Sequence, residues 1–257
     1  PALPALPAHP TLSTLDGVHP VWRDDVAHSG AGRSGFAYQP ALDGVRGLSV
    51  LLVLLFHGGW SWMRGGYVGV SVFFTLSGFL ITRLLLREHE ERGRINVVSF
   101  WGRRMRRLLP ASMVCLLGVA ILGSIGMFGE TPDLGRELIG ALTHVANWVQ
   151  LTGEVSYSEQ VLGHRSPLDH YWSLAIKEQF HWIWPLVMVA MQRRSRHDRV
   201  IARLAFVSVG AAPLIGWLWG SDVAYWATPA RIGEILVGAA LAATMERHRS
   251  LRFEGRG

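Results

Sequence analysis

The run LDGVRGLSVLLVLLFHGGW, Leu42–Trp60, decides the class of fold. Its nineteen residues are almost wholly apolar, and a helix of that length crosses the roughly 30 Å hydrocarbon core of a bilayer. Three ionisable residues interrupt it: Asp43, Arg46 and His57. Arg46 and His57 stand eleven residues apart, about three helical turns, so both project from one face roughly 16 Å apart. Ionisable groups inside a span are costly and mark function. On that reading His57 is a general base near neutral pH and Arg46 anchors an anionic group. The structural alternative is that the two cap the ends of the span at the interfaces.

Working outward, the same window finds five more candidate spans, at Tyr67–Leu86, Leu108–Phe128, Trp172–Met191, Ile201–Trp219 and Tyr225–Met245. A seventh apolar patch, Leu138–Val149, is short and contains His144 and Asn147, which favours a re-entrant or interfacial piece. The expected fold is therefore all-α, a polytopic transmembrane bundle of about six spanning helices plus one re-entrant or interfacial segment. Composition agrees: 49% of the residues are hydrophobic and 11 are Trp.

Of the 25 basic residues all but Lys177 are arginine, a coding bias rather than a nucleic-acid surface. The arginines set the orientation, because short cytoplasmic loops carry the basic excess. Arg83–Arg107 holds eight Arg against three Glu, and further basic runs follow at 193–199 and 247–252. All three lie inside if Leu138–Val149 does not span, which makes the N-terminus cytoplasmic. Residues 1–37, rich in Pro, Ala, Gly and Ser, read as a flexible cytoplasmic tail, or as a sign that the chain is a fragment; 38–246 read as the membrane domain and 247–257 as a second cytoplasmic tail. Asn96–Arg107, apolar and basic by turns, reads as an interfacial amphipathic helix. Cys115 is the single cysteine, so no internal disulfide is available.

The stretch LDHYWSLAIKEQFHWIWP, 168–185, concentrates the remaining chemistry. Glu178 and His181 at i,i+3 share a face and resemble half of a carboxylate metal site, but no second Glu-x-x-His exists and no metal is expected. A proton-relay or base-orienting role for Glu178 fits better, since a buried carboxylate needs a partner. Arg231 and Glu234, again at i,i+3, can pair within the last span as a structural or a catalytic couple. Arg103, Arg104, Arg106 and Arg107 either obey the positive-inside rule or grip phosphates with forked guanidinium groups. Ser77 and Gly78 suit small-residue helix packing better than a nucleophile elbow.

The blocks LDGVRGLSVLLVLLFH (42–57), GGYVGVSVFFTLSGFLIT (65–82), FWGRRMRRLLPA (100–111), HYWSLAIKEQFHWIWPL (170–186) and TPARIGEILVGAALA (228–242) occur in an order that resembles the membrane-bound acyltransferase family 3. That resemblance implies O-acylation, commonly O-acetylation, of cell-envelope polysaccharide or a lipid-linked glycan at the cell membrane. The co-substrate is then acyl-coenzyme A, with no bound cofactor, and the partners are membrane lipids, donor and glycan acceptor, not nucleic acid. It assigns His57, Glu178 and Arg46 to catalysis and Arg103, Arg104 and Arg107 to the donor. Asp43, His170, Trp172, Ser173, Arg231 and Glu234 become supporting residues. Where the family usually reads Glu-Glu-Gln-Phe-Tyr, this chain has Lys177-Glu178-Gln179-Phe180-His181. The family also has about ten spans, so the resemblance implies a chain incomplete at its C-terminus. Two other classes remain open: a transporter or flippase, and an inactive remnant of the family.

Overall fold

The computed structural model describes residues 39–58, 61–129, 133–153, 166–192 and 196–254; the expected N-terminal tail lies outside them. The chain divides at Ala41, and the helical bundle belongs to the unit Leu42–Gly257. All its regular elements among the described residues are helical. They are α1 (Pro40–His57), a short 3-10 helix (Ser61–Tyr67), α2 (Val68–Arg92), α3 (Val97–Ser124), α4 (Leu134–Leu142), α5 (Ala146–Leu151), α6 (Tyr171–Met191), α7 (His197–Trp219), α8 (Ser221–Trp226) and α9 (Thr228–Glu254).

Among the described residues four segments are long and apolar enough to cross a membrane: α1, Gly65–Arg92 including α2, α3 and α7. Of the six expected spans, α6 and α9 have the length but not the composition. In α6 the reason is Lys177, Glu178, Gln179 and His181, and Glu178 and His181 are turned inward among buried Trp172, Ile176, Phe180 and Trp184. Such a helix keeps its polar groups from lipid by facing protein. In α9 the basic residues from Arg247 onward continue the helix to Glu254 instead of ending it, so the expected tail begins as helix.

A second difference concerns Asn96–Arg107. It is not a separate interfacial helix but the first turns of α3, capped by the Asn96 side chain, which accepts from the Ser99 N–H at 2.9 Å. Arginine is a good helix former, and Pro110 withholds one N–H from the ladder without ending the helix.

The Leu138–Val149 patch forms two short helices, α4 of nine residues and α5 of six. They meet at His144, which adopts a left-handed φ of 58°. At about 1.5 Å per residue neither can span. At the centre of the bundle α9 packs against α7 and, with a close backbone approach, against α2. Gly78 and Gly238 lie where α2 and α9 meet, and a Cβ on either would stand 1.8 Å from a carbonyl oxygen of the opposite helix, Ile235 and Thr75 respectively. This is the close backbone approach that small residues allow between membrane helices. The Thr75 hydroxyl reinforces it, lying 3.1 Å from the Glu234 carbonyl.

Candidate active site

His57 ends α1, where its Nδ1 lies 2.8 Å from the Val53 carbonyl. A carbonyl only accepts, so Nδ1 carries the hydrogen, and in the neutral ring the lone pair is then on Nε2. The ring is edge-on to His170, with centroids 4.6 Å apart. His170 is the residue that precedes the first turn of α6, and its carbonyl accepts from the Ser173 hydroxyl at 3.2 Å. Two imidazoles from separate helices thus share one spot. Toward the other end of α1, Arg46 is exposed and bonds Asp43 at 3.1 Å. His57 therefore ends α1 and Arg46 lies in its first half, eleven residues away on the same helix.

Two residues beyond His170, Trp172 is buried and tilts against Tyr225 with centroids 4.7 Å apart. With Phe74 these rings surround Arg231, whose guanidinium carbon is 5.5 Å from the Tyr225 centroid and 5.7 Å from each of the other two. Arg231 also reaches Glu234 at 2.9 Å. The i,i+3 pair expected from the sequence is present, and the aromatic box places its charge against π faces.

Glu178 is fully buried. Arg104 of α3 grips it in a two-pronged fork, Nε to Oε2 at 2.7 Å and Nη2 to Oε1. His181 Nδ1 stands 3.7 Å from Oε1, too far for a hydrogen bond. Glu178 is eight residues from His170, roughly 12 Å along the helix. The described contacts bring Glu178 to Arg104 and His181, and His57 to Val53 and His170; they do not join Glu178 with His57. Its oxygens are committed to a guanidinium, which does not suit a metal ligand, and no cluster of three metal-binding side chains occurs among the described residues.

The expected donor cluster is divided. Arg104 turns inward to Glu178, whereas Arg103 and Arg107 are exposed. Lys177 lies within electrostatic reach of Glu178, Arg104 and Arg46, so it joins this inner group rather than the headgroups.

Sequence reasoning missed Glu88 and a closed ring of side chains behind the site. Glu88, on α2, is buried and stands 3.4 Å from Arg92 and 3.8 Å from Arg103. In the ring, Gln179 Nε2 donates to Asn147 Oδ1 at 2.9 Å, Asn147 Nδ2 to Thr228 Oγ1 at 3.0 Å, and Thr228 Oγ1 to Gln179 Oε1 at 2.6 Å. Gln179 also donates to the His144 carbonyl and Asn147 to that of Trp226. Every amide hydrogen is used, and α4–α5 is thereby fastened to α6 and the start of α9. Asn147, a polar residue in an apolar patch, was the one visible signal.

Comparison with known proteins supplies the family. Residues 39–254 match the model described as acyltransferase domain. A Staphylococcus aureus strain MSSA476 protein, provisionally named as an O-acetyltransferase, is 35% identical over 213 residues, covering 80% of this chain and 34% of the relative. The O-acetyltransferase OatA of Staphylococcus aureus strain NCTC 8325 is 34% identical over 209 residues, covering 80% of this chain and 34% of OatA. The chain spans about a third of the length of these curated relatives. No solved structure matches. With its apolar helices and a domain match running over nearly all the described residues, the chain belongs to the membrane-bound acyltransferase family 3.

Proposed function

We propose that this chain is the acyl-handling part of a membrane O-acetyltransferase. It moves an acyl group, acetyl in the simplest case, from cytoplasmic acyl-coenzyme A to a hydroxyl of a carbohydrate or lipid-linked glycan. The observation that supports this most directly is the hydrogen bond of His57: with Nδ1–H held by the Val53 carbonyl, the neutral ring presents Nε2 as its basic nitrogen. Nε2 takes the proton of the acceptor hydroxyl as its oxygen attacks the thioester carbonyl. The C–S bond breaks, and the departing thiolate takes the proton from the imidazolium. The alternative order, in which Nε2 first accepts the acyl group and then passes it to the hydroxyl, uses the same nitrogen.

The arginine-rich connections lie on the cytoplasmic side in this reading, with the N-terminus inside and the chain crossing the plasma membrane several times. The basic start of α3 then faces the donor's phosphates, for which forked guanidinium groups are suited. The test is transfer from acetyl-labelled coenzyme A to the envelope glycan of membranes carrying the chain. Label that mild alkali releases, and that His57→Ala abolishes at unchanged protein level, supports the reading. No such label from the unaltered chain contradicts it.

A further inference from the structure

The arginines at the start of α3 are not equivalent. Each helical residue advances by about 100°, so Arg107 lies about 40° from Arg103 and about 60° from Arg104, between the two. Each flanking arginine meets a buried carboxylate from a different helix. Arg104 forks onto Glu178 of α6. Arg103 faces Glu88 of α2 across 3.8 Å, and the other Glu88 oxygen stands 3.4 Å from Arg92. Glu178 is 0% and Glu88 7% exposed, and carboxylates so far from water persist only beside cations. Arg107 is exposed and makes no ion pair among the described residues.

We propose that Glu178 and Glu88 are positioning residues of the donor subsite: they fix the rotation of α3 by taking up Arg104 and Arg103, and Arg107, left uncompensated between them, meets the donor's phosphate. The inference rests on the acyltransferase reading. An arginine already neutralised by a carboxylate has little to offer a phosphate, whereas a free one has its full charge and fork. The two parallel bonds from Arg104 fix a plane as well as a distance, so they resist rotation of α3 about its axis. Glu178 then acts at a distance from the reacting atoms, and its loss falls on donor affinity instead of on the chemical step.

The test is equilibrium binding of tritiated acetyl-coenzyme A to the purified chain in detergent, in a His57→Ala background that prevents turnover. Folding is followed by tryptophan fluorescence during heating without donor. Arg107→Gln and Glu178→Gln are each expected to weaken binding by about tenfold, the loss of one charge-assisted contact. Arg104→Glu alone is expected to do the same, and the exchange Arg104→Glu with Glu178→Arg to recover to within about threefold. Should the exchanged pair fail to fold, Arg104→Lys keeps the charge and loses the fork; its binding is expected to fall by a similar factor. In turnover with His57 intact, Glu178→Gln raises the donor KM and leaves kcat within about twofold.

Undiminished binding by folded Arg107→Gln or Arg104→Lys overturns the proposal, as does a Glu178→Gln variant that binds normally while kcat collapses. A lipid phosphate is the other possible occupant. Affinity is therefore compared in phosphatidylcholine vesicles with and without phosphatidylglycerol, and an Arg107→Gln effect on donor binding that appears only when phosphatidylglycerol is present overturns the donor assignment. An unaltered chain that binds no acetyl-coenzyme A ends the acyltransferase reading itself; binding unaffected by any variant ends only the positioning role.

Discussion

Gly78→Ala probes the contact on which the bundle is built. The added carbon would lie 1.8 Å from the Ile235 carbonyl oxygen and 2.8 Å from its carbon. An ordinary C···O approach is about 3.3 Å, so α2 and α9 must part by roughly 1.5 Å. The obstacle is backbone, so no side-chain end can swing aside. Overpacking of this kind costs about 1–3 kcal/mol, and parting the helices leaves the Thr75 hydroxyl, now within reach of the Ser71 and Glu234 carbonyls, to Ser71 alone. The expected loss is about 1–3 kcal/mol, or roughly 2–12 °C in Tm for a chain of this size. Thermal unfolding in detergent measures it, with Gly118→Ala as control. Nothing lies within 4 Å of a Cβ at Gly118, and alanine inside a helix is favoured over glycine. Equal Tm values for the two variants would refute the reasoning.

Asn147→Leu keeps the volume but opens the ring with Gln179 and Thr228, leaving several buried polar groups unpaired at about 1–3 kcal/mol each; Tm falls, and the linker between α4 and α5 becomes the first site of proteolysis. Glu137, outside the spans, has its carboxyl pushed up by burial and by Asp133, against the lowering effect of the Ser166 hydroxyl. A raised acid pKa means that the folded state holds its proton more tightly, so the contribution of Glu137 to stability is full below the ordinary carboxylate value of 4.5 and is lost as pH rises through the raised one. Glu137→Gln flattens this part of the Tm-against-pH curve, and Ser166→Ala extends the loss to higher pH.

What the sequence made legible was local. The length and polarity of Leu42–Trp60 predicted α1 and the separation of Arg46 from His57; the i,i+3 spacing predicted the Arg231–Glu234 pair; and the shortness of Leu138–Val149 predicted that it would not span. The end of a helix in a basic run was less legible, because arginine prolongs a helix as readily as it marks an interface, and α3 and α9 both run through theirs. Partners far apart in the chain were not legible at all. Glu178 is 74 residues from Arg104, and spacing within α6 offered only His181, which stands beyond hydrogen-bond distance. Glu88 looked like one acid among many arginines, and only the structure brings Arg103 of α3 to it. The direction of Lys177 likewise depended on where α1 and α3 fall.

If the Nε2 of His57 does the chemistry, an added imidazole should replace it. Acetyl transfer by membranes carrying His57→Gly is measured with and without added imidazole. Transfer is expected to be lost in the variant and to return in part, in a concentration-dependent way, with imidazole, which can occupy the vacated space and supply the same nitrogen. Transfer that persists in the variant without imidazole would contradict that role of Nε2.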